Sequence, residues 1–299
     1  MMERTDLINV PCPLCGSDSP QSYARYCTHL FGDDIVPMNL VRCVNCDLIF
    51  VSPRPRNNDI EALYGSDRFT ADQNKETVGR GRLPSPSDVS LADKVWKVRM
   101  LEDFVGGGRL LDIGFGFGAM MKVAQDRGRW EAWGIDPSPA SVRFVREVWG
   151  LNVQCRSVLE MDFPESFFDA VCMDNVLEHI DRPVECMSAV SRVLRPGGVV
   201  FIDVPYVRGL TNRLWRTYLK LFPKEGHPNT YGHIYFYTRK SISILLRKAG
   251  FEPRLMLTDQ TTFPGYAGGM ERVLRQVATT AGKTLPGAGN LLISFGVKV

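Results

Sequence analysis

The sequence has little of what would settle its class at a glance. Its net charge is only +3 over 299 residues, so composition gives no basic field of the kind that gathers nucleic acid. No stretch approaches the roughly 18 consecutive apolar residues of a membrane span, and the opening MMERTDLINV has no apolar signal core. A cytoplasmic setting without a membrane span is the expectation. No internal repeat is visible, which sets aside solenoids and propellers. Histidine is scarce at four residues, whereas cysteine, at eight, is not. In a reducing compartment those cysteines read as thiols or metal ligands rather than disulfides. The 44% hydrophobic and 23% charged content is ordinary for a globular protein, and the length allows one sizeable core plus a smaller domain.

Three regions differ in texture. Residues 1–55 hold five of the eight cysteines and little periodic pattern, as expected of a small separate unit. A helical pattern runs from Asn58 to Tyr64. The rest of 56–90 is polar and rich in Gly, Pro and Ser, the composition of a linker or active-site flap. From residue 91 the pattern alternates. LADKVWKVRMLEDFV is helical and ends at Gly106-Gly107-Gly108. RLLDIGF, WEAWGID, LNVQCRS, FDAVCMDN and VVFIDVP read as strands, with helices between them and RPGG as a turn. That rhythm predicts an α/β domain over 91–299 with a parallel sheet and helices on both faces, interrupted by an insertion at about 206–236.

The densest signal is LLDIGFGFGAMM. Its glycines satisfy two patterns. Gly114-x-Gly116-x-x-Ala119 is a dinucleotide turn, and Asp112-x-Gly114-x-Gly116-x-Gly118 is a methyl-donor loop. Either way, glycines at the carboxyl end of a strand let the backbone approach a ligand. Asp136, ending the next strand, is placed to accept hydrogen bonds from ribose hydroxyls. The pair points to a nucleoside-containing cofactor and leaves NAD and S-adenosylmethionine both open.

LLDIGFGFG, WGID, FDAVCMDNVLEHI, LRPGGVVFIDVP and RKAGFE occur in the order seen in class I S-adenosylmethionine-dependent methyltransferases, which residues 91–299 resemble. The resemblance implies a Rossmann-like, seven-stranded, mostly parallel sheet whose last strand, NLLISFGVKV, is antiparallel. It implies that Asp112, Gly114, Gly116 and Gly118 line the methionine end and that Asp136 holds the ribose. Ser157 and Val158 would lie against the adenine, and Asp174 and Asn175 near the methionine portion. Ser157 stands where relatives often carry Asp. The NAD reading gives no role to LEH or AGFE.

CPLC (Cys12, Cys15) and CVNC (Cys43, Cys46) are two knuckles separated by 27 residues, positions 16 to 42. Two such turns supply the four thiolates of a tetrahedral, structural zinc site with no open position. Cys27 and His29 are lower-ranked substitutes. RCVNCDLIFVSPRP resembles the zinc-binding amino-terminal domain of some small-molecule methyltransferases, sugar C-methyltransferases among them. Cys155, Cys172 and Cys186 fall in predicted strands or a helix and read as core.

Methyl transfer from a sulfonium asks mainly for positioning of the acceptor and removal of its proton. His179, in VLEHI, and His227 and His233, in the insertion, are the candidate catalytic residues, with Glu178 and Glu225 as fallback bases. In GLTNRLWRTYLKLF, Leu210, Leu214, Tyr218 and Leu221 form an apolar stripe, and Arg213, Arg216 and Lys220 a basic one. A lid helix accounts for it. So does recognition of an anionic acceptor, or peripheral contact with a lipid surface through Trp215.

The expectation is therefore a zinc-ribbon-bearing methyltransferase using S-adenosylmethionine. Its acceptor is a small molecule, a sugar or another secondary metabolite, and not nucleic acid. The competing readings are an NAD-dependent oxidoreductase and a noncatalytic zinc-ribbon interaction protein.

Overall fold

Residues 7–31, 34–55, 85–210, 212–213, 232–259 and 288–299 are described by the computed structural model. The helix expected at 58–64, most of the linker and most of the basic amphipathic segment lie outside the described residues.

The chain opens with three strands, β1 Gln21–Phe31, β2 Asp34–Arg42 and β3 Ile49–Val51. Helix α1 (Ala92–Val105) follows and stops at Gly106, whose φ of 78° ends the helical run. Next come β4 (Gly108–Ile113), α2 (Ala119–Asp126), β5 (Trp130–Asp136), α3 (Pro139–Phe144) and β6 (Asn152–Cys155). Ser138 caps α3 by accepting the Ser141 N–H at 3.3 Å, and Pro139 occupies the first turn. Then follow β7 (Phe168–Asp174), α4 (Pro183–Val193) and β8 (Leu194–Pro205). The described chain ends with β9 (Tyr235–Phe236), α5 (Arg239–Lys248), β10 (Phe251–Asp259) and β11 (Leu291–Lys298).

Seven strands form one sheet in the order β10-β11-β8-β7-β4-β5-β6. Only β11 runs against its neighbours β8 and β10, which is the antiparallel strand expected of NLLISFGVKV. Along β7, Ala170 and Cys172 enter one core cluster with Leu110, Phe201 and Phe295, while Val171 and Met173 enter the other with Leu111, Ile113 and Ile202. This period-2 alternation, apolar on both faces, is what a sheet covered by helices on both sides requires. From β4 the chain moves outward through β5 and β6, then crosses to β7 on the other side of β4. That reversal opens a crevice at the carboxyl ends of β4 and β7.

The cysteine-bearing unit makes a second sheet, β1-β2-β3-β9. Its fourth strand comes from the far side of the insertion, pairing Ile49 with Phe236 and Phe50 with Tyr235. Cys12, Leu14, Leu48 and Phe50 share a core cluster with Leu111, Val171 and Tyr237. Polar clamps reinforce the join. Arg208 donates to both oxygens of Asp47 at 2.7 and 2.8 Å, and Lys248 donates to the Leu14 carbonyl at 2.9 Å.

Two local expectations need correction. RPGG is no separate turn: it lies inside β8, where pairing jumps from Phe168–Leu194 to Ala170–Val199 across a bulge, with Gly197 at φ 75°. Cys172 and Cys186 are buried, but Cys155 is exposed because β6 is an edge strand ending there.

Candidate functional site

The loop after β4 is built by positive backbone angles. Gly114, Gly116 and Gly118 have φ of 67°, 55° and 75°. At Gly114 a Cβ would stand 2.6 Å from Val176, so the turn after β7 presses directly on the loop. At Gly116 nothing lies within 4 Å of where a Cβ would stand, so the loop's crest is open. Asp136 accepts the Gly116 N–H at 3.0 Å and the Ser138 N–H at 2.8 Å. It ties the glycine loop to the end of the neighbouring strand. Burial pushes its carboxyl up to about 6 despite those two donors. Asp112 is buried too, and its carboxyl is pushed well up, first by burial and then by the Asp174 charge.

Ser157 caps a short 3-10 turn, Val158–Glu160, by accepting the Leu159 N–H at 3.4 Å. Val158 is buried in the core beneath. Asp174 ends β7 and is gripped by two lysines of α1. Lys94 donates at 2.9 Å, and Lys97 at 3.0 and 3.1 Å. Lys97 also donates to Asp203 of β8 at 2.6 Å. Burial raises the Asp174 carboxyl, but the two lysines outweigh it and hold it down at about 2. Asp203, deeper and served by one close cation, sits at about 7. Asn175 adopts φ 57° and donates its backbone N–H to the Asp203 carbonyl at 2.8 Å, turning the chain off the strand.

The next turn, Leu177–His179, carries two of the expected acceptor-side groups. Glu178 is fully buried, and neither carboxylate oxygen makes a hydrogen bond of proper geometry among the described residues. Its own backbone N–H gives partial compensation, and burial pushes its carboxyl far up. His179 is pulled down to about 4 by burial. His233 packs edge-on against it with ring centroids 4.8 Å apart, and its Nε2 lies 3.8 Å from Glu178 Oε1. Burial, then His179, keeps His233 well below the usual imidazole range. Burial thus disfavours the charged form of both rings. His227 and Glu225 lie outside the described residues.

Away from this crevice, the two cysteine knuckles meet. Cys12 Sγ lies 3.4 Å from Cys46 Sγ, Cys15 Sγ 3.4 Å from Cys43 Sγ, and all four sulfurs fall within 4.8 Å of one another. The turns are near copies. Gly16 and Asp47, each following the second cysteine, adopt φ of 75° and 67° and donate their N–H to the Cys12 and Cys43 carbonyls. The side chains of Cys27 and His29 lie outside what is described.

Residues 90–255 match the methyltransferase domain family, more than half of the chain. The chain belongs to that family. It is 32% identical over 150 residues to a ubiquinone biosynthesis O-methyltransferase from Pseudomonas fluorescens, covering 44% of this chain and 61% of that protein. It is 26% identical over 168 residues to a tRNA U34 carboxymethyltransferase from Idiomarina loihiensis, covering 54% and 50%. The chain thus matches less than two thirds of either relative's length. The crystal structure of a Burkholderia thailandensis 1,6-didemethyltoxoflavin-N1-methyltransferase, with S-adenosylhomocysteine and 1,6-didemethyltoxoflavin bound, has the same fold. Its TM-score is 0.52 at 17% identity, over 86% of this chain and 98% of that one.

Within this methyltransferase frame, the crevice brings together Asp112, the three glycines, Asp136, Asp174 and Asn175 from three separate strand ends. It places Glu178, His179 and His233 beside them. The sequence reading passed over Lys94 and Lys97. A signal was present: Lys97 sits on the Lys94–Leu101 stripe of α1, a position where an apolar residue is normally found. Its partner Asp203 lies near the end of β8, a strand whose sequence is otherwise plain core.

Proposed function

We propose that the protein transfers a methyl group from S-adenosylmethionine to a small-molecule acceptor. The observation that carries this reading is the open glycine crest whose Gly116 amide is bonded to the buried Asp136 carboxylate. It is a cradle at the topological reversal, with a ribose-type acceptor already oriented.

The residues fit the cofactor. Asp136 retains lone pairs for ribose hydroxyls, and Asp112, Gly114, Gly116 and Gly118 would receive the methionine end, with Asp174 and Asn175 beside it. Ser157 and Val158 border the place for the adenine. When bound, S-adenosylmethionine supplies an electrophilic methyl on a sulfonium whose leaving group is already good. The chain's part is to hold the acceptor in line and to draw off its proton. His179 and His233 do this from the acceptor side. A ring-nitrogen lone pair on either can accept a hydrogen bond from an acceptor hydroxyl or amine. His179 is only 9% exposed and Glu178 fully buried, a depth suited to a small acceptor such as a sugar or other secondary metabolite. The NAD reading has no use for this cluster.

The four cysteines fit zinc. A tetrahedral ion with Zn–S of about 2.3 Å sets sulfurs about 3.8 Å apart, close to the 3.4 Å seen for two pairs. Four thiolates leave no open position, so the ion is structural. A cytoplasmic setting suits the free thiols, and among the described residues no helix is long and apolar enough to cross a membrane.

Calorimetric titration with S-adenosylmethionine and with NAD tests the cofactor, and binding of NAD alone overturns the reading. Incubation with labelled methyl donor and a panel of sugars, phenols and amines, read by mass spectrometry, then identifies the acceptor class.

A further inference from the structure

Glu178, His179 and His233 form a second site that differs in kind from the cysteine cluster. Each offers one ligand atom, and these atoms lie within 4.8 Å of one another, with His233 Nε2 only 3.8 Å from Glu178 Oε1. We infer that these three residues bind a divalent first-row transition ion, of the zinc or cobalt class, beside the methyl-donor cradle.

Four observations carry this. The first is the spacing. Ligands at about 2.0–2.2 Å from a tetrahedral ion stand roughly 3.4 Å apart, so side-chain adjustments of about 1 Å close the set. The second is the carboxylate. Glu178 is fully buried and neither oxygen is hydrogen-bonded to another described residue. A buried carboxyl with neither oxygen bonded is costly, and a cation on it would supply the missing partner. The third is a scaffold that holds the ligands without the ion. His179 donates its backbone N–H to the Val176 carbonyl at 3.0 Å, and Ile234 donates its own to the Glu178 carbonyl at 3.1 Å. The two chain segments are thus pinned together on either side of the ligand atoms. The fourth is the donor set. Two imidazoles and one carboxylate suit zinc and its neighbours, whereas magnesium and calcium seek all-oxygen sites. Three protein ligands also leave a coordination position open, unlike the closed Cys12–Cys15–Cys43–Cys46 set.

The location gives the site a purpose. Val176, just ahead of the ligand turn, packs on Gly114, so the ion would stand one turn from the glycine loop. The inference builds on the acceptor-side reading above and changes one part of it: with an ion bound, the imidazole lone pairs would be on the metal, and its open position would take a heteroatom of the acceptor in place of direct proton removal by the rings. Metal binding itself does not require that reading to hold.

The test uses the full, untagged chain, stripped with a strong chelator and reloaded with Co²⁺. Metal per chain is measured by mass spectrometry of the digested protein, and the ligand type by absorption. Two equivalents are expected in the parent chain, with thiolate-to-cobalt charge transfer from one of them. Glu178→Gln and His233→Ala should each bind one equivalent and keep the full charge-transfer band. One equivalent in the parent chain, all of it thiolate-bound, overturns the inference, as do variants that retain two. Cadmium-113 NMR of the parent chain gives a reading independent of any variant. It should show one resonance in the sulfur region and one in the nitrogen–oxygen region, and a sulfur resonance alone is fatal. S-adenosylmethionine titration in parallel separates the two proposals. Loss of donor binding with two metals retained removes the methyltransferase reading and leaves this one.

Discussion

Asp136 shows how one side chain joins fold and ligand. It spends lone pairs on the Gly116 and Ser138 amides and remains buried, so its carboxyl rises to about 6 from an ordinary value of 3.8. The sign follows. Between about pH 4 and 6 the folded chain holds a proton that the unfolded chain has released, so stability falls as pH rises through that window. The difference, 6 less 3.8, amounts to about 3 kcal/mol at most. Asp136→Asn removes the buried charge but sets an amide NH2 against one of the two backbone N–H groups, two effects that oppose each other in the cofactor-free protein. It should weaken S-adenosylmethionine binding by roughly 10- to 100-fold, the worth of about 1.5–3 kcal/mol for hydrogen bonds to a charged group. In the parent chain, affinity should decline as pH drops below about 6. Calorimetry at several pH values checks both, and affinity within twofold of the parent sinks the ribose assignment.

At the scale of elements, helix α1 is tied to the sheet by charge as well as by its apolar face. Lys97 lies between Asp174, which ends β7, and Asp203, near the end of the adjacent β8. Lys97→Met keeps much of the side chain's bulk but leaves two buried carboxylates with Lys94 alone near Asp174. Urea unfolding should show a loss of about 3–5 kcal/mol, the usual result of removing one partner from a buried pair. A loss below about 1 kcal/mol would mean that the cluster is solvated and not structural. Elements with clear local signals, such as the Gly106 stop after α1, the apolar run of β4 and the alternation of β5, were legible in the residues that form them. The bulge in β8 was not, because Pro196-Gly197-Gly198 is turn chemistry in isolation. Only pairing with β7 keeps it in the strand.

Across the whole molecule, the cysteine knuckles and the crevice are mechanically linked. The knuckle sheet takes β9 as its fourth strand, and β9 begins two residues after His233. The Arg208 clamp holds Asp47 of the second knuckle from the end of β8. Cys43→Ser, or a chelator that strips any ion from the four thiolates, should thus act beyond the first 55 residues. Scanning calorimetry should show one transition lowered by roughly 3–5 °C, the effect of about 2–3 kcal/mol in a protein of this size. S-adenosylmethionine affinity should fall with it. Two separate transitions, with the upper one unmoved and donor binding intact, would show that the knuckle unit is independent.

The sequence by itself determined the alternating αβ order, the glycine loop, the acid ending the next strand and the pairing of two cysteine knuckles. Each of these is a local pattern, written in a few neighbouring residues whose spacing the chemistry dictates. What only the tertiary structure decided is which distant residues meet. Lys97 faces Asp174 and Asp203 because α1 crosses the ends of β7 and β8, and His233 reaches Glu178 because β9 leaves the insertion to join the knuckle sheet. These contacts join residues 55 to 106 positions apart, from Glu178–His233 (233 less 178 being 55) to Lys97–Asp203. No local pattern encodes such separations. They follow from sheet order and from the burial that draws both ends of each contact into one core.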